Sequence, residues 1–431
     1  MMHKQITVNL GNFLLSLSEI TDLANPLIVQ HQQRTAFIAL EISKCSAISS
    51  DLLENIFTAS LLHDIGAISI EEKIAIHNFE STDYELHCLR GELLLEQTPW
   101  LSKISKVVRY HHKSIQEWDD GIDNQLVFAS QVVLLADYIE RLIDRNTYIL
   151  HQNQIIIDAI LKLKNTVAHE KVIDSFIEAS KREEFWLDLV SPRLYPLLLH
   201  NGPYKNIEID LKGIALIAEV YKGIIDFKSP FTATHTAGVS ACAEILSRLF
   251  GLTEMEINLM KIAGNLHDIG KLIVPNSILE KPGKLTCEEF AIIRCHTYYS
   301  YYVINTIGGL RQIAEWAAFH HEKLDGNGYP FHCKAENIDT GSRIMTVADI
   351  FTAISENRPY RVRMNKDEII RIMQRQSEKK HLDSKIVTLL LDEYDTVDAY
   401  VQSKQAEAKE FYENRFLTLS KNVNLSDCQI R

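Results

Sequence analysis

The sequence predicts an all-α protein made of two tandem helical domains, each about 200 residues long. Glycine and proline together contribute only 27 of 431 residues, about half the usual share, which argues against a turn-rich β protein. Apolar residues recur at helical spacing in many segments. A set of histidines and aspartates also occurs twice with nearly the same internal spacing. Together these observations favour a repeated helical unit.

The repeated set consists of histidines and aspartates at fixed intervals. In each half, one histidine lies 32 residues before a His-Asp pair, a second lies 24 residues before a His-His pair, and an Ala-Asp dipeptide closes the set. Corresponding members are 204 to 212 residues apart, and two short insertions in the second half explain the increase. The first set is His31, His63, Asp64, His87, His111, His112 and Asp137, and the second is His235, His267, Asp268, His296, His320, His321 and Asp349.

The segments that carry these residues have the apolar pattern of helices. IFTASLLHDIG and INLMKIAGNLHDIG end in a glycine, which we interpret as a helix stop. ISKVVRYHH and LRQIAEWAAFHH predict helices before the His-His pairs, and QLVFASQVVLLADYIERL and SRIMTVADIFTAIS predict helices around the closing aspartates. Between the halves, YPLLLHNGPYKNIEID contains two prolines, so we place the boundary there and predict domains 1–204 and 205–431.

Charge and cysteine content narrow the function classes. The net charge of −12 argues against a general binder of polymeric nucleic acid, so an anionic substrate would need local positive charge. The seven cysteines contain no CxxC pair, which predicts neither a disulfide framework nor a thiolate zinc site and favours a reducing cytoplasm. The N-terminus lacks the pattern of a signal peptide, and no apolar run approaches a membrane span of roughly 20 residues.

The two sets have the chemistry of metal ligands. A lone histidine on an apolar helix is more often a core or surface residue, but a constellation of five histidines and two aspartates that occurs twice weakens that interpretation. Imidazole and carboxylate without thiolate suit divalent iron, manganese or zinc. An adjacent His-Asp pair at a helix end allows the aspartate to bridge two ions, and a two-metal site can clamp a phosphoryl group.

Longer strings resemble a known family. His267-Asp268, with the other members of the second set, resembles the HD superfamily of metal-dependent phosphohydrolases. NLHDIGKLIVP, HHEKLDGNGYP and VADIFTAISENRPYR resemble its HD-GYP branch, which hydrolyses cyclic dinucleotides. The resemblance covers roughly residues 205–400 and is specific, because several strings occur in the right order. The resemblance therefore implies an all-α fold of two tandem HD-type helical domains. Two HD units, the second a full HD-GYP, also resemble the bacterial phosphodiesterases specific for 3′,3′-cyclic GMP-AMP.

The resemblance implies roles for individual residues in the second half. All seven members of the second set would be metal ligands, with Asp268 as the catalytic bridge, and Lys271 would contact substrate phosphate. Some relatives with three metals have a glutamate where this chain has Phe231, so we expect two divalent ions, iron or manganese. The substrate-binding residues implied are Lys271, Arg358, Arg361, Gly328, Tyr329 and Pro330, with Gly326 shaping the same loop. Thr352 and Lys323 depart from residues frequent in the family.

The first half keeps all seven candidate ligands but lacks the cations. Ala67, Asn146 and Ile149 stand where the second half has Lys271, Arg358 and Arg361. In one interpretation this half is a degenerate HD domain with a structural or regulatory role. In the other it binds metal and removes phosphate from a smaller ester, such as the linear dinucleotide product. The absence of the cations favours the first interpretation.

The sequence therefore predicts a cytoplasmic, metal-dependent phosphodiesterase that opens a cyclic dinucleotide to a linear 5′-phosphorylated product. The resemblance favours 3′,3′-cyclic GMP-AMP, with cyclic di-GMP as the alternative substrate. A sensor that binds the cyclic dinucleotide without cutting it, and a nucleoside triphosphate hydrolase, are the other hypotheses. A homodimer is a possible assembly, and neither polymeric nucleic acid nor a membrane is an expected partner.

Overall fold

The structure is a computed structural model that describes residues 6–23, 25, 27–80, 84–228, 232–357 and 362–414. The prediction of an all-α fold is confirmed, since helices dominate these residues and the strands found among them are β1 (Thr7–Asn9) and β2 (Glu208–Asp210). The two strands pair with each other. Phe231 and the segment 358–361, which contains Arg358 and Arg361, lie outside the described residues.

The chain divides into two compact units. The N-terminal unit is Val8–Ile209, and the C-terminal unit is Asp210–Arg431 together with Met1–Thr7. The domain limits predicted from the sequence, 1–204 and 205–431, stay a prediction.

The N-terminal unit is a bundle of helices around an aromatic and aliphatic core. Helix α2 packs against α3, α7 and α9, and the side chains of Phe57, Phe176 and Trp186 are almost completely buried. The helices of this unit in the described residues are α1 (Leu10–Asp22), α2 (His31–Lys44), α3 (Ser50–Leu62), α4 (Ile70–His77), α5 (Glu85–Leu95), α6 (Ser102–Arg109), α7 (Gln125–Arg141), α8 (Ile149–Leu161), α9 (Glu170–Ser180), α10 (Glu183–Leu189) and α11 (Leu194–Asn201).

The C-terminal unit repeats this arrangement around helix α13, which packs against α12, α14, α18 and α21. Phe351 and Tyr221 are buried in its core. Its helices in the described residues are α12 (Leu211–Lys228), α13 (Thr232–Phe250), α14 (Glu254–Leu266), α15 (Asn276–Leu279), α16 (Cys287–Thr306), α17 (Arg311–Ala318), α18 (Thr340–Ser355), α19 (Lys366–Glu378), α20 (Ser384–Asp392) and α21 (Tyr394–Tyr412).

Capping residues determine where the helices that carry the candidate site begin. Thr253 and Glu256 form a reciprocal capping box at the start of α14, and Thr286 and Glu289 form another at the start of α16. The carboxylate of Asp339 accepts a hydrogen bond from a backbone N–H in the first turn of α18. Each cap satisfies backbone donors that the helix itself leaves unpaired, so the helix starts are fixed locally by the sequence.

Corresponding helices hold corresponding members of the two sets. Helices α2 and α13 carry the first histidine, the His-Asp pairs follow α3 and α14, and helices α5 and α16 carry the third histidine. The His-His pairs follow α6 and α17, and helices α7 and α18 carry the closing aspartate. The repeat seen in the sequence is therefore a repeat of five structural positions.

Candidate metal centres

The structure brings the seven predicted ligands of the C-terminal unit into one cluster, in which six side chains are buried and that of His321 is partly exposed. His235, His267 and Asp268 offer ligand atoms that all lie within 4.8 Å of one another. A second group within the same limit consists of His296, His320 and His321. Asp349 lies beside both groups, since its Oδ1 is 3.1 Å from Nε2 of His235 and its Oδ2 is 3.7 Å from Nδ1 of His321. The five structural positions of the repeat therefore bring their side chains together at one place.

Asp268 lies between the two groups and presents one carboxylate oxygen to each. Its Oδ2 is 3.1 Å from Nε2 of His267, and its Oδ1 is 3.4 Å from Nε2 of His296 and 3.9 Å from Nε2 of His320. The side chain is almost fully buried, at 1% exposure. A carboxylate in this position can contact two ions at once.

Backbone carbonyl groups orient three of the histidines. Each imidazole donates from Nδ1 to the carbonyl oxygen three residues earlier, so Nε2 keeps its lone pair and faces the cluster. Hydrogen bonds of this kind fix the tautomer and the ring orientation of metal-binding histidines. They join His267 to Gly264 (2.7 Å), His296 to Ile293 (2.6 Å) and His320 to Ala317 (2.6 Å).

Unpaired buried atoms show that the cluster fits a metal ion. Oδ1 of Asp268 and Nε2 of His267 are buried and have no hydrogen-bond partner among the described residues. Buried polar atoms normally have one, so these two atoms require a further partner. Burial would raise the pKa of Asp268, but the nearby His267 and Lys271 hold it well below its ordinary value. Burial lowers the pKa of His296 to about 3, so this imidazole is neutral and can offer a lone pair to a metal ion.

Lys271 places a cation beside the bridging position. Its Nζ lies 2.5 Å from Oδ2 of Asp268, on the short 3₁₀ turn Ile269–Ile273 that follows the His-Asp pair. Its side chain is 19% exposed, so the ammonium group contacts both the cluster and solvent. A phosphate that approached the cluster from solvent would therefore meet this charge.

A tight loop places Tyr329 against the cluster. The Tyr329 ring centroid is 4.9 Å from that of His321, and its backbone N–H donates to the carbonyl oxygen of His321 over 3.2 Å. Gly328 allows this approach, because a Cβ there would lie 2.4 Å from Cα of Glu322. Gly326 has a φ of +80°, which glycine adopts without strain, and the bond from Tyr329 to Pro330 is cis.

The buried carboxylate of Glu322 holds the same loop. It accepts hydrogen bonds from the backbone N–H groups of Phe331 at 2.7 Å and Cys333 at 3.0 Å. The guanidinium of Arg294 lies 5.1 Å from the centroid of the Tyr329 ring. Aromatic and cationic groups thus form a wall next to His321.

The N-terminal unit holds a second cluster with the same plan. Oδ2 of Asp64 lies 3.5 Å from Nε2 of both His31 and His63, and its Oδ1 lies 3.5 Å from Nε2 of His87 and 3.8 Å from Nε2 of His111. Asp137 faces the first pair, with its Oδ1 3.4 Å from Nε2 of His31. The structure also places His112 in the group with His87 and His111. All seven residues predicted from the repeat are therefore brought together.

Cations of the N-terminal unit pair with its own carboxylates. Arg141 donates to Oδ2 of Asp137 over 3.0 Å. Arg34 and Arg145 both donate to Oε1 of Glu140, at 2.9 and 3.0 Å. Ala67, at the position of Lys271, is buried and carries no charge. The positive groups near this cluster thus differ in position and partners from Lys271.

Sequence reasoning missed two carboxylates that hold the first histidine of each cluster. Glu140 pairs with Nδ1 of His31, and Oε1 of Glu356 lies 3.1 Å from Nδ1 of His235. A signal was present, because Glu140 follows Asp137 by three residues, and residues at that spacing share a helix face. Glu356 follows the closing aspartate of its unit by seven residues and also accepts a hydrogen bond from Gln405 over 3.1 Å.

Comparisons with known proteins agree with the repeat. Residues 28–142 and residues 219–386 each match the HD domain family, so the predicted resemblance is confirmed in both halves. No helix in the described part of the chain is long and apolar enough to cross a membrane.

The chain is similar to curated phosphodiesterases. It is 28% identical over 398 residues to 3′3′-cGAMP-specific phosphodiesterase 1 of Vibrio cholerae. The alignment covers 89% of this chain and 91% of that protein. It is 39% identical over 173 residues to 3′3′-cGAMP-specific phosphodiesterase 2 of the same organism, covering 40% of this chain and 33% of that protein. A cyclic di-GMP phosphodiesterase of Thermotoga maritima is 28% identical, with 57% of this chain and 64% of that protein covered.

A solved structure has the same fold. The crystal structure of a cyclic GMP-AMP specific phosphodiesterase of V. cholerae, V-cGAP3, matches with a TM-score of 0.63 at 20% identity. The match covers 90% of this chain and 98% of that one, so the tandem arrangement of helical units is common to both.

Proposed function

We propose that this chain, which contains two HD domains, is a metal-dependent phosphodiesterase that opens a cyclic dinucleotide in its C-terminal unit. The observation that carries the proposal is the position of Asp268 between two groups of histidines, with Lys271 beside it. 3′,3′-cyclic GMP-AMP is the first substrate proposed, because the relative that matches nearly the whole chain is specific for it. Cyclic di-GMP is the second, since other relatives carry that name.

The residues that would hold two divalent ions are those of the C-terminal cluster. Asp268, Asp349 and the five histidines would hold these ions. Iron or manganese is proposed, because imidazole mixed with carboxylate suits such borderline ions. Bound ions of this kind polarise phosphoryl oxygens and lower the pKa of water.

The chain's own groups would bind and orient the substrate. Lys271 would pair with a non-bridging phosphate oxygen, which carries negative charge throughout the reaction. Tyr329 and Arg294 present a flat ring and a planar cation that can stack on a purine. Burial raises the pKa of the Tyr329 hydroxyl, so it stays protonated and can donate a hydrogen bond. Water that adds to phosphorus and displaces the 3′-oxygen would leave a linear dinucleotide with a 5′-phosphate.

The acidic net charge of −12 is compatible with this anionic substrate. The long-range electrostatic interaction between the whole chain and a dinucleotide is weak or repulsive. Binding must therefore come from charges placed at the site. Two divalent ions with Lys271 would supply that charge. We extend the same role to Arg358 and Arg361, which lie outside the described residues.

The N-terminal unit, without a counterpart of Lys271, is proposed to be structural or regulatory. The described cysteines are free, which suits the proposed cytoplasmic location.

Turnover of the two cyclic dinucleotides by the purified full chain tests the proposal. The protein is loaded with manganese or with ferrous iron under anaerobic conditions, and linear products are separated by chromatography. We expect a higher kcat/KM for 3′,3′-cyclic GMP-AMP than for cyclic di-GMP. Equal or faster turnover of cyclic di-GMP would reverse the order of substrates. Tight binding of either ring without any product would show a sensor instead of an enzyme, and turnover of a deoxynucleoside triphosphate would show a different hydrolase.

Replacing Lys271 with alanine should lower kcat/KM for the preferred substrate by about 100-fold, because a cation that faces the developing charge is removed. Lys271→Arg keeps the charge and should recover part of the loss. Steady-state kinetics with both variants measures the effect, with bound metal determined in parallel. A Lys271→Ala protein that keeps wild-type kcat/KM and full metal content would contradict the role given to this lysine.

A further inference from the structure

A cysteine lies within the second histidine group of the N-terminal cluster. Cys88 is 3% exposed and follows His87 on helix α5. Its Sγ lies 3.6 Å from Nε2 of His87 and 3.7 Å from Nδ1 of His111. With His112, these residues form a group of four whose ligand atoms all lie within 4.8 Å of one another. Nδ1 of His111 also donates to the carbonyl oxygen of Val108 over 2.6 Å, so this imidazole would bind a metal through Nε2, which lies 3.4 Å from Nε2 of His87. Donors around a tetrahedral zinc ion are separated by about 3.5 Å, close to the distance from Sγ to Nε2 of His87 and to the distance between the two Nε2 atoms.

The corresponding residue of the C-terminal unit has a different role. Thr297 follows His296 as Cys88 follows His87. Its hydroxyl donates to the carbonyl oxygen of Arg294 over 3.2 Å, on its own helix. The thiol of Cys88 instead contacts the two imidazoles of the cluster. The two units therefore differ in donor chemistry at one position.

Unpaired buried atoms around Cys88 point independently to a missing ligand. Oδ1 of Asp64 is buried and has no hydrogen-bond partner within the described residues. The same holds for Nδ1 of His87, whose counterpart in His296 donates to a backbone carbonyl. His87 is 1% exposed, so water cannot satisfy this nitrogen from the surface. A cation held beside Nε2 of His87 would offset the charge of the Asp64 carboxylate, whose Oδ1 lies 3.5 Å from that nitrogen.

We propose that Cys88 is a thiolate ligand of a metal ion in the N-terminal unit, together with His87, His111 and His112. Thiolate with imidazole favours zinc over manganese, whereas the C-terminal cluster offers only nitrogen and oxygen. Four protein donors complete a tetrahedral shell, and zinc sites of that kind are structural because they leave no open position. Binding releases the thiol proton to solvent as the sulfur–metal bond forms.

This inference extends the proposed function by giving the N-terminal unit a closed metal site. A closed metal site would explain why the N-terminal HD domain keeps its metal-ligand residues although it has no counterpart of Lys271. Cysteine spacing predicts no thiolate site in this chain, because the other proposed ligands are histidines: His87 on the same helix, and His111 and His112 after helix α6. Arg141 is bonded to Asp137 in the other half of the cluster, which reduces the charge available for a second ion there. One zinc ion per N-terminal unit is therefore expected.

Cobalt spectroscopy on the full chain tests the proposal. The metal-depleted protein is titrated with Co²⁺, and a near-ultraviolet thiolate-to-cobalt charge-transfer band is expected. Cys88→Ser should remove the band and one bound zinc per chain while cyclic dinucleotide turnover stays within about threefold. Cys295→Ser is the matched control, because Cys295 precedes His296 but its Sγ donates to the carbonyl oxygen of Ile292. That variant should keep the band.

X-ray absorption of the zinc-loaded wild-type chain needs no variant and decides the matter if Cys88→Ser fails to fold. A sulfur neighbour at about 2.3 Å from zinc is expected. A zinc environment of nitrogen and oxygen alone, or a charge-transfer band that persists in Cys88→Ser, would overturn the proposal. These readouts do not depend on turnover, so they separate this inference from the proposed activity of the C-terminal unit.

Discussion

Asp268→Asn is expected to reduce cyclic dinucleotide turnover by at least about 10³-fold, equivalent to about 4 kcal/mol of transition-state stabilisation. The substitution keeps the size of the side chain but removes the negative charge and one of its two acceptor oxygens. Because Asp268 faces His267 with one oxygen and His296 with the other, both candidate metal positions lose a ligand. Kinetics at saturating metal, with bound metal counted per chain, measures the loss.

Asp64→Asn is the matched control, since Asp64 occupies the same position in the N-terminal cluster. We expect this variant to keep turnover within about threefold of the wild type, with any loss of metal confined to the N-terminal unit. If Asp64→Asn were the inactive variant and Asp268→Asn the active one, the assignment of chemistry to the C-terminal unit would be wrong. Loss of activity in both would indicate that the two centres depend on each other.

Histidine spacing was sufficient to predict which elements meet. A spacing that recurs over 24 and 32 residues in both halves requires the same number of helical turns and connections between ligands, so it reports the fold as well as the chemistry. The structure places all fourteen predicted residues in two clusters on corresponding helices. Their roles as ligands stay a prediction that metal analysis must test.

The contacts that orient the ligands could not be predicted from the same pattern. His31 pairs with Glu140 across 109 residues of sequence, and Gln405 bonds to Glu356 across 49. Such pairs depend on how helices pack side by side, and spacing along one helix does not determine that. The thiol of Cys88 reaches His111 for the same reason, although cysteine spacing argued against any thiolate site.

The glycine after each His-Asp pair was assigned the wrong primary role. Helices α3 and α14 end at Leu62 and Leu266, before the glycine, and neither glycine has a positive φ. Glycine is required at these positions because the neighbouring helix packs too closely for a Cβ atom. A Cβ at Gly66 would lie 2.0 Å from the carbonyl oxygen of His87, and a Cβ at Gly270 would lie 1.9 Å from that of His296. The glycine therefore lets the next ligand-bearing helix approach the His-Asp pair.

This packing makes Gly270→Ala a sharp test of which centre is active. The new methyl group meets backbone atoms of His296, which cannot rotate away, so helix α16 must move and take its imidazole with it. We expect a stability loss of about 1–3 kcal/mol, as for other overpacked positions. Turnover should fall about 100-fold, since a displacement of about 1 Å at a reacting centre has that effect. Thermal unfolding and kcat/KM measure the two quantities.

Gly66→Ala applies the same steric change to the N-terminal unit and so separates stability from catalysis. Its Cβ would meet the carbonyl oxygen of His87, and we expect a comparable loss in the free energy of unfolding of that unit. Because the proposed chemistry takes place at Asp268, turnover at a temperature where both variants are folded should stay within about threefold of the wild type. Equal losses of turnover in the two variants would mean that general destabilisation, and not displacement of His296, explains the effect of Gly270→Ala.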